Sequence, residues 1–214
     1  NINDLYFAGT LMQMRDFKKH MSGFIHGFRY NIRTLSRFLE TRYFDKPFPH
    51  SLFAATTEDV CAAILDRVNR SSGLWQQPGY LGDLIEVDAP GNACSYHEEL
   101  PIDYIHETML RPGVHSFVVS LEYGNDHAAD PFNIQRIART NSRRADDSFF
   151  LHPVIRHFRG RMLVEEHHII EDLAAEWREP EHTEPLAEFI ASQLAVSKES
   201  LHHTDEMSAT AEGG

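Results

Sequence analysis

Asn3-Asp4-Leu5-Tyr6-Phe7-Ala8-Gly9-Thr10 and, beyond Asp16-Phe17-Lys18-Lys19, Ser22-Gly23-Phe24-Ile25-His26-Gly27-Phe28-Arg29-Tyr30-Asn31 read together as strand, glycine turn, loop and helix. Residues 5–8 form a short apolar run bounded by Asn-Asp and Gly-Thr, the pattern of a strand buried in a parallel sheet. Phe24, Phe28, Ile32, Leu35 and Leu39 recur at helical spacing, so one stripe is expected to face a core, with Ser22 as the N-cap. Gly23 and Gly27 sit in the first turns, where each costs up to about 1 kcal/mol relative to Ala. Two readings fit them. Either the helix start approaches a ligand, whose electron-rich oxygens suit the free N–H groups there, or the glycines only allow tight helix-to-sheet packing.

The rest of the chain adds elements of mixed type. Thr56 or Thr57 caps a second helix with Val60, Ile64 and Val68 on one face, and residues 94–100, 114–123, 154–158 and 162–168 read as strands. Residues 125–147 are a long polar excursion. Pro180 and Pro185 are expected to bracket a loop before a last amphipathic helix over 186–194. The fold class expected is α+β: residues 1–46 as a terminal strand and long helix of a Rossmann-like domain, residues 47–195 as a mixed α/β appendage, and residues 196–214 as a disordered tail.

Composition narrows the function classes. Residues 1–46 carry eight Lys/Arg and four Asp/Glu, whereas residues 47–214 carry twelve and twenty-eight, giving the net −12. Phosphate would be repelled by most of the surface, so nucleic acid is not an expected partner. Arg29, Arg33 and Arg37 share one helical face that is either solvated or meets acidic surface. No apolar run reaches transmembrane length, and membrane insertion is not expected. Cys61 and Cys94 stand far apart without a Cys-x-x-Cys motif, so thiol–disulfide chemistry is unsupported. Fourteen histidines include no His-Glu-x-x-His; His97-Glu98-Glu99 is followed by Leu100, and the adjacent His167 and His168 point to opposite faces of a strand. No metal ligands and no catalytic residues are assigned.

The opening stretch, together with Ser72-Gly73-Leu74-Trp75-Gln76, Gly79-Tyr80-Leu81-Gly82-Asp83, Leu121-Glu122-Tyr123-Gly124, Phe150-Leu151-His152-Pro153 and His168-Ile169-Ile170-Glu171-Asp172, resembles in order the C-terminal region of the FAD-dependent oxidoreductase domain-containing protein 2 family. The resemblance covers roughly residues 1–194. It implies the last FAD-contacting segment of a two-dinucleotide-domain flavoprotein, monooxygenase-like, with FAD and NAD(P)H as cofactors. It also implies Gly9, Thr10, Asp16, Ser22, Gly23, Phe24, Ile25, His26 and Gly27 as cofactor-proximal residues. Many relatives carry Asp where this chain has Thr10, which removes a charge near the ribityl chain. His26 either hydrogen-bonds the isoalloxazine edge or a substrate, or packs within the helix.

No Gly-x-Gly-x-x-Gly loop occurs, so the phosphate-cradling half of a dinucleotide site is lacking. Together with the abrupt start at Asn1, this leads to the expectation of a C-terminal fragment, inactive alone, whose partners are the N-terminal dinucleotide-binding domains of the same protein. The alternative from another class is a non-catalytic module that binds a protein partner; the animal family resembles a partner-recruiting protein of endoplasmic-reticulum quality control. The ending Ala211-Glu212-Gly213-Gly214 lacks a Lys-Asp-Glu-Leu-type signal, so the expected compartment is the cytoplasm of a bacterium, whereas animal relatives reside in the endoplasmic reticulum.

Overall fold

The computed structural model describes residues 3–11, 21–88, 91–124 and 135–211, with side chains described as far as residue 196. Its centre is a six-stranded sheet of β1 (His50–Ala54), β2 (Leu81–Val87), β3 (Ala93–Pro101), β4 (His115–Glu122), β5 (His152–Arg159) and β6 (Met162–His168), in the order β1-β3-β2-β4-β5-β6. Every neighbouring pair is antiparallel. β2 and β4 lie in the middle and are buried along almost their whole length, which their apolar and β-branched residues permit on both faces. The α+β class is therefore present.

Helices α1 (Ile25–Phe44), α2 (Thr57–Arg70), α3 (Ser72–Gln76), α4 (Ile102–Tyr104) and α5 (Pro180–Ala211) surround the sheet, with a π-helical turn over Ile105–Met109 and a 3-10 stretch over Arg139–Asp147. The main core lies on the face covered by α2 and α5. It joins Val60, Ile64 and Val68 of α2 and Leu186, Phe189, Ile190 and Leu194 of α5 to Ile85, Phe117, Val119 and Ile155 of the sheet. Thr56 caps α2 as its sequence foretells, its hydroxyl accepting from Asp59 N at 3.1 Å. On the reverse face a smaller cluster of Leu84, Leu100, Ile105, Leu110, Val118 and Phe158 is flanked by Phe38 of α1 and by Phe48.

Four expectations are corrected. Residues 5–8 are not a strand, and Leu5, Tyr6 and Phe7 are exposed. A strand needs a neighbour to satisfy its backbone, and the described sheet offers no parallel partner. The N-cap of α1 is Phe24 rather than Ser22. The apolar stripe of α1 is only partly covered: Phe28, Leu35 and Leu39 are half-buried and Phe24 and Ile32 exposed, while the fully buried residues are Gly27, Tyr30, Asn31 and Thr34. At 100° per residue the two stripes are offset by roughly a third of a turn. Finally, Pro180 and Pro185 do not bracket a loop. Pro180 opens α5, where a missing N–H is free of cost, and Pro185 lies inside the helix. Burial of Leu186, Phe189, Ile190 and Leu194 against the sheet outweighs the single backbone bond Pro185 cannot make. α5 runs on to Ala211, through the region where composition predicts a disordered tail.

Candidate functional site

The entry to α1 is fixed by polar contacts to the end of α3. Ser22 Oγ donates to Gln77 Oε1 at 2.7 Å, and Asn31 Nδ2 donates to the same Oε1 at 3.2 Å and to Ser22 Oγ at 3.1 Å. All three side chains are buried, so each hydrogen bond replaces one with water that burial removed. Met21 N donates to Gln76 O, and Met21 O accepts from Phe24 N, each at 3.1 Å, which closes a turn directly above Gly27. A Cβ on Gly27 would lie 1.9 Å from Met21 O, so glycine is required there by the chain's own backbone.

The other expected site residues divide from this knot. Phe24, Ile25 and His26 point outward, with the Phe24 and His26 rings stacked at 5.6 Å, and Gly23 is half-buried. Gly9 has φ of +73°, the left-handed region, and a Cβ there would touch nothing within 4 Å. Thr10 is exposed, and Asp16 lies outside the described residues. The segment before Gly9 meets the far end of α1: Asp4 pairs with Arg42 at 3.0 Å, and the Tyr6 and Tyr43 hydroxyls are 3.0 Å apart. Among the described residues no hydrogen bond or ion pair joins Gly9 or Thr10 to Ser22, Gly23 or His26.

The residues that can line a flat, partly apolar ligand are thus Phe24, Ile25 and His26, beside the helix N-terminus. They are open to solvent. Ser22 and Gly27 are committed to internal contacts, which is the packing reading of the glycine.

The basic face of α1 meets acidic surface within this chain. Arg33 pairs with Glu99, Arg37 Nη1 donates to Glu98 O at 3.3 Å, and Thr34 Oγ1 donates to Glu99 O at 2.8 Å. Glu99 itself sits at φ +57°, next to a register shift between β2 and β3 that raises its backbone toward α1. Beneath it Asp83, fully buried, accepts from Arg67 Nε at 2.7 Å, Tyr96 Oη at 2.9 Å and Glu99 N at 2.7 Å. Burial and the Asp83 carboxylate push the Tyr96 hydroxyl well above its usual range. Three donors, the Arg67 guanidinium among them, satisfy the buried carboxylate and tie α2 to β2 and β3, so this cluster is a brace.

Two histidine chains escaped the sequence reading. On the α5 side His115 Nδ1 lies 3.0 Å from His157 Nε2, His157 Nδ1 lies 2.7 Å from Gln193 Oε1, and Gln193 Nε2 donates to Glu165 at 2.5 Å. On the reverse face His152 Nε2 lies 2.8 Å from His168 Nδ1, and His168 Nε2 lies 2.8 Å from Glu166. Burial lowers the pKa of His115 to about 4 and of His167 to about 4, and lowers those of His152 and His157. His167 stacks on Phe189 while His168 faces the other way, as the strand alternation requires. His115–His157, His157–Gln193, Gln193–Glu165 and His152–His168 join residues 16 to 42 apart, so no local spacing could have announced them. Among the described residues no group of three or more His, Cys, Asp or Glu has the geometry to hold a metal ion. Cys61 and Cys94 are buried free thiols, raised to about 11 and about 12 chiefly by burial, which keeps them protonated and unreactive at neutral pH.

No family model matches the chain, and no solved structure matches it. Two curated proteins do. It is 30% identical over 221 residues, 92% of this chain, to FAD-dependent oxidoreductase domain-containing protein 2 of Mus musculus, and 30% identical over 209 residues, 87% of this chain, to that of Danio rerio. The chain spans about a third of the length of these relatives, 33% and 30% respectively. Both matches run through nearly the whole of this chain, so over that third of their length it is similar to FAD-dependent oxidoreductase domain-containing protein 2.

Proposed function

We propose that this chain is the C-terminal part of an FAD-dependent, NAD(P)H-using, monooxygenase-like oxidoreductase and contributes one wall of its flavin site. The observation that carries the reading is the outward stripe of α1. Phe24, Ile25 and Ile32 are 59%, 71% and 39% exposed, and Leu5, Phe7 and Leu11 nearby in sequence are 51%, 61% and 63% exposed. A helix that docks inward through Tyr30, Asn31, Thr34 and Phe38 while its stripe stays half-buried or exposed leaves apolar surface to be covered on a second side. Dinucleotide-binding domains of a Rossmann-like kind would cover it and give residues 5–8 the parallel neighbours a strand requires.

In that assembly Gly9 turns the chain beside the cofactor, and Gly23, Phe24 and Ile25 shape the apolar wall. The helix N-terminus offers N–H groups to the flavin's electron-rich edge. Thr10 supplies a neutral hydroxyl to the ribityl region, and His26 lies at the rim. Ser22 and Gly27 hold the helix start in place. Bound FAD would supply the redox chemistry, and this chain's residues position it and exclude water. Localisation in the cytoplasm belongs to the same proposal.

The test is spectroscopic. The family-length protein carrying this segment is expected to show a yellow flavin spectrum that NADPH bleaches, and a colourless, fully folded one would overturn the reading. The 214-residue chain alone is expected to release FAD on gel filtration; stoichiometric retention would contradict the one-wall assignment. A second reading, a partner-binding module without catalysis of its own, is favoured by the acidic groove along β6.

A further inference from the structure

β6 ends the sheet, and among the described residues no strand pairs with its outer edge. An open edge presents unpaired N–H and C=O groups at strand spacing, a ready template for another extended chain. Proteins blunt such edges with charge, and β6 carries Glu165 and Glu166. A groove of about 900 Å³ lies here, lined by β6, the 3-10 stretch and the first half of α5. Glu165, Glu166, His167 and His168 all line it. Successive strand side chains leave opposite faces, so four consecutive residues can share one groove only if it follows the edge itself.

The groove has a marked sign. Asp146, Glu165, Glu166, Glu181, Glu184 and Glu188 line it against Arg143. Glu166 is paired with Arg156 and lies beside His168, and Glu165 accepts from Gln193. Among the described residues no ion pair involves Asp146, Glu181, Glu184 or Glu188. The last three are spaced three and four apart, on one face of α5, where like charges repel. The positive pole of the helix start accounts for Glu181 in the first turn; it does not reach Glu188.

A second copy of this chain is a poor occupant. Pairing β6 with itself would set Glu165 and Glu166 against the same carboxylates, and like charges opposed across strands destabilise. An extended segment with alternate Lys or Arg residues fits on both counts: its backbone completes the edge, and its cations answer the unmatched carboxylates. We propose that the β6 edge and the groove beside it bind a basic, extended segment of another protein by strand addition. This does not depend on the flavin assignment.

The experiment uses the 214-residue chain and a fluorescein-labelled eight-residue peptide of alternating Lys and Val, followed by fluorescence anisotropy at low and at physiological salt. Binding is expected, weakening with salt, with slowed hydrogen exchange at the amides of β6. Two changes are each expected to weaken it at least tenfold: backbone N-methylation of alternate peptide residues, which keeps the charge and removes edge bonding, and the double variant E184Q/E188Q at two exposed α5 positions, checked by circular dichroism. No binding at low salt, undiminished binding of the N-methylated peptide, or undiminished binding to the double variant would each overturn the proposal.

Discussion

α1 and α2 are both amphipathic helices with legible apolar stripes, yet they use them in opposite ways. α2 buries its stripe: Val60, Ile64 and Val68 are 0% exposed and sit in the main core. α1 fastens itself with Asn31, Thr34, Arg33 and the turn above Gly27, and leaves Phe24 and Ile32 outside. One helix is finished by this chain. The other is finished only if something else covers it, which is why the same pattern meant core in one place and surface in the other.

The contrast can be broken at its strongest point first. Ile64→Ala on α2 removes a fully buried side chain and is expected to cost about 2–5 kcal/mol, read as a lower urea midpoint at constant slope. A loss below about 1 kcal/mol would mean that the α2 face is looser than its burial implies.

Acid should loosen the same finished face. His115, His157 and His167 lie on the α5 side of the sheet, and burial holds their folded pKa values below the ordinary 6.5. The unfolded chain therefore takes up these protons first. Their contribution is whole above about pH 6.5 and is lost as pH falls toward about 4. Stability from urea titrations is expected to fall by about 2–4 kcal/mol between pH 7 and 5. A flat profile over that range would sink the assignment.

Smaller effects probe α1. Ser22→Ala removes two of the three buried hydrogen bonds at the helix entry, leaving only Asn31 to Gln77, and is expected to cost about 1 kcal/mol, with faster hydrogen exchange confined to the first turns of α1. Ile32→Ser, on the outward stripe, should change the stability of this chain by no more than about 0.5 kcal/mol. In the family-length protein the same substitution is expected to destabilise and to reduce flavin content. Equal tolerance in both would remove the reason for a second covering surface.

Much of the fold was legible because it depends on local rules. The Thr56 cap, the β-branched run at 117–121, and the Gly160 turn at φ +58° between β5 and β6 each follow from residues within a few positions of one another. The outward character of α1 was not, because periodicity locates a stripe without saying what it touches. Strand pairing at residues 5–8 failed for a similar reason: apolarity marks a candidate strand, but hydrogen bonds need a neighbour. Of the candidate site, the left-handed Gly9 and the open helix start were readable. The commitment of Ser22 to Gln77, 55 residues away, was not.

By itself the sequence determined the α+β class, the capped α2, most strand positions and kinship with a flavoprotein family, since these rest on composition, short-range periodicity and motif order. Only the tertiary structure decided that every strand pairing is antiparallel, that the arginines of α1 clasp Glu98 and Glu99, and that an acidic groove follows an open edge. Those features join residues distant in the chain, and which distant residues meet is set by how the whole core packs rather than by any local pattern.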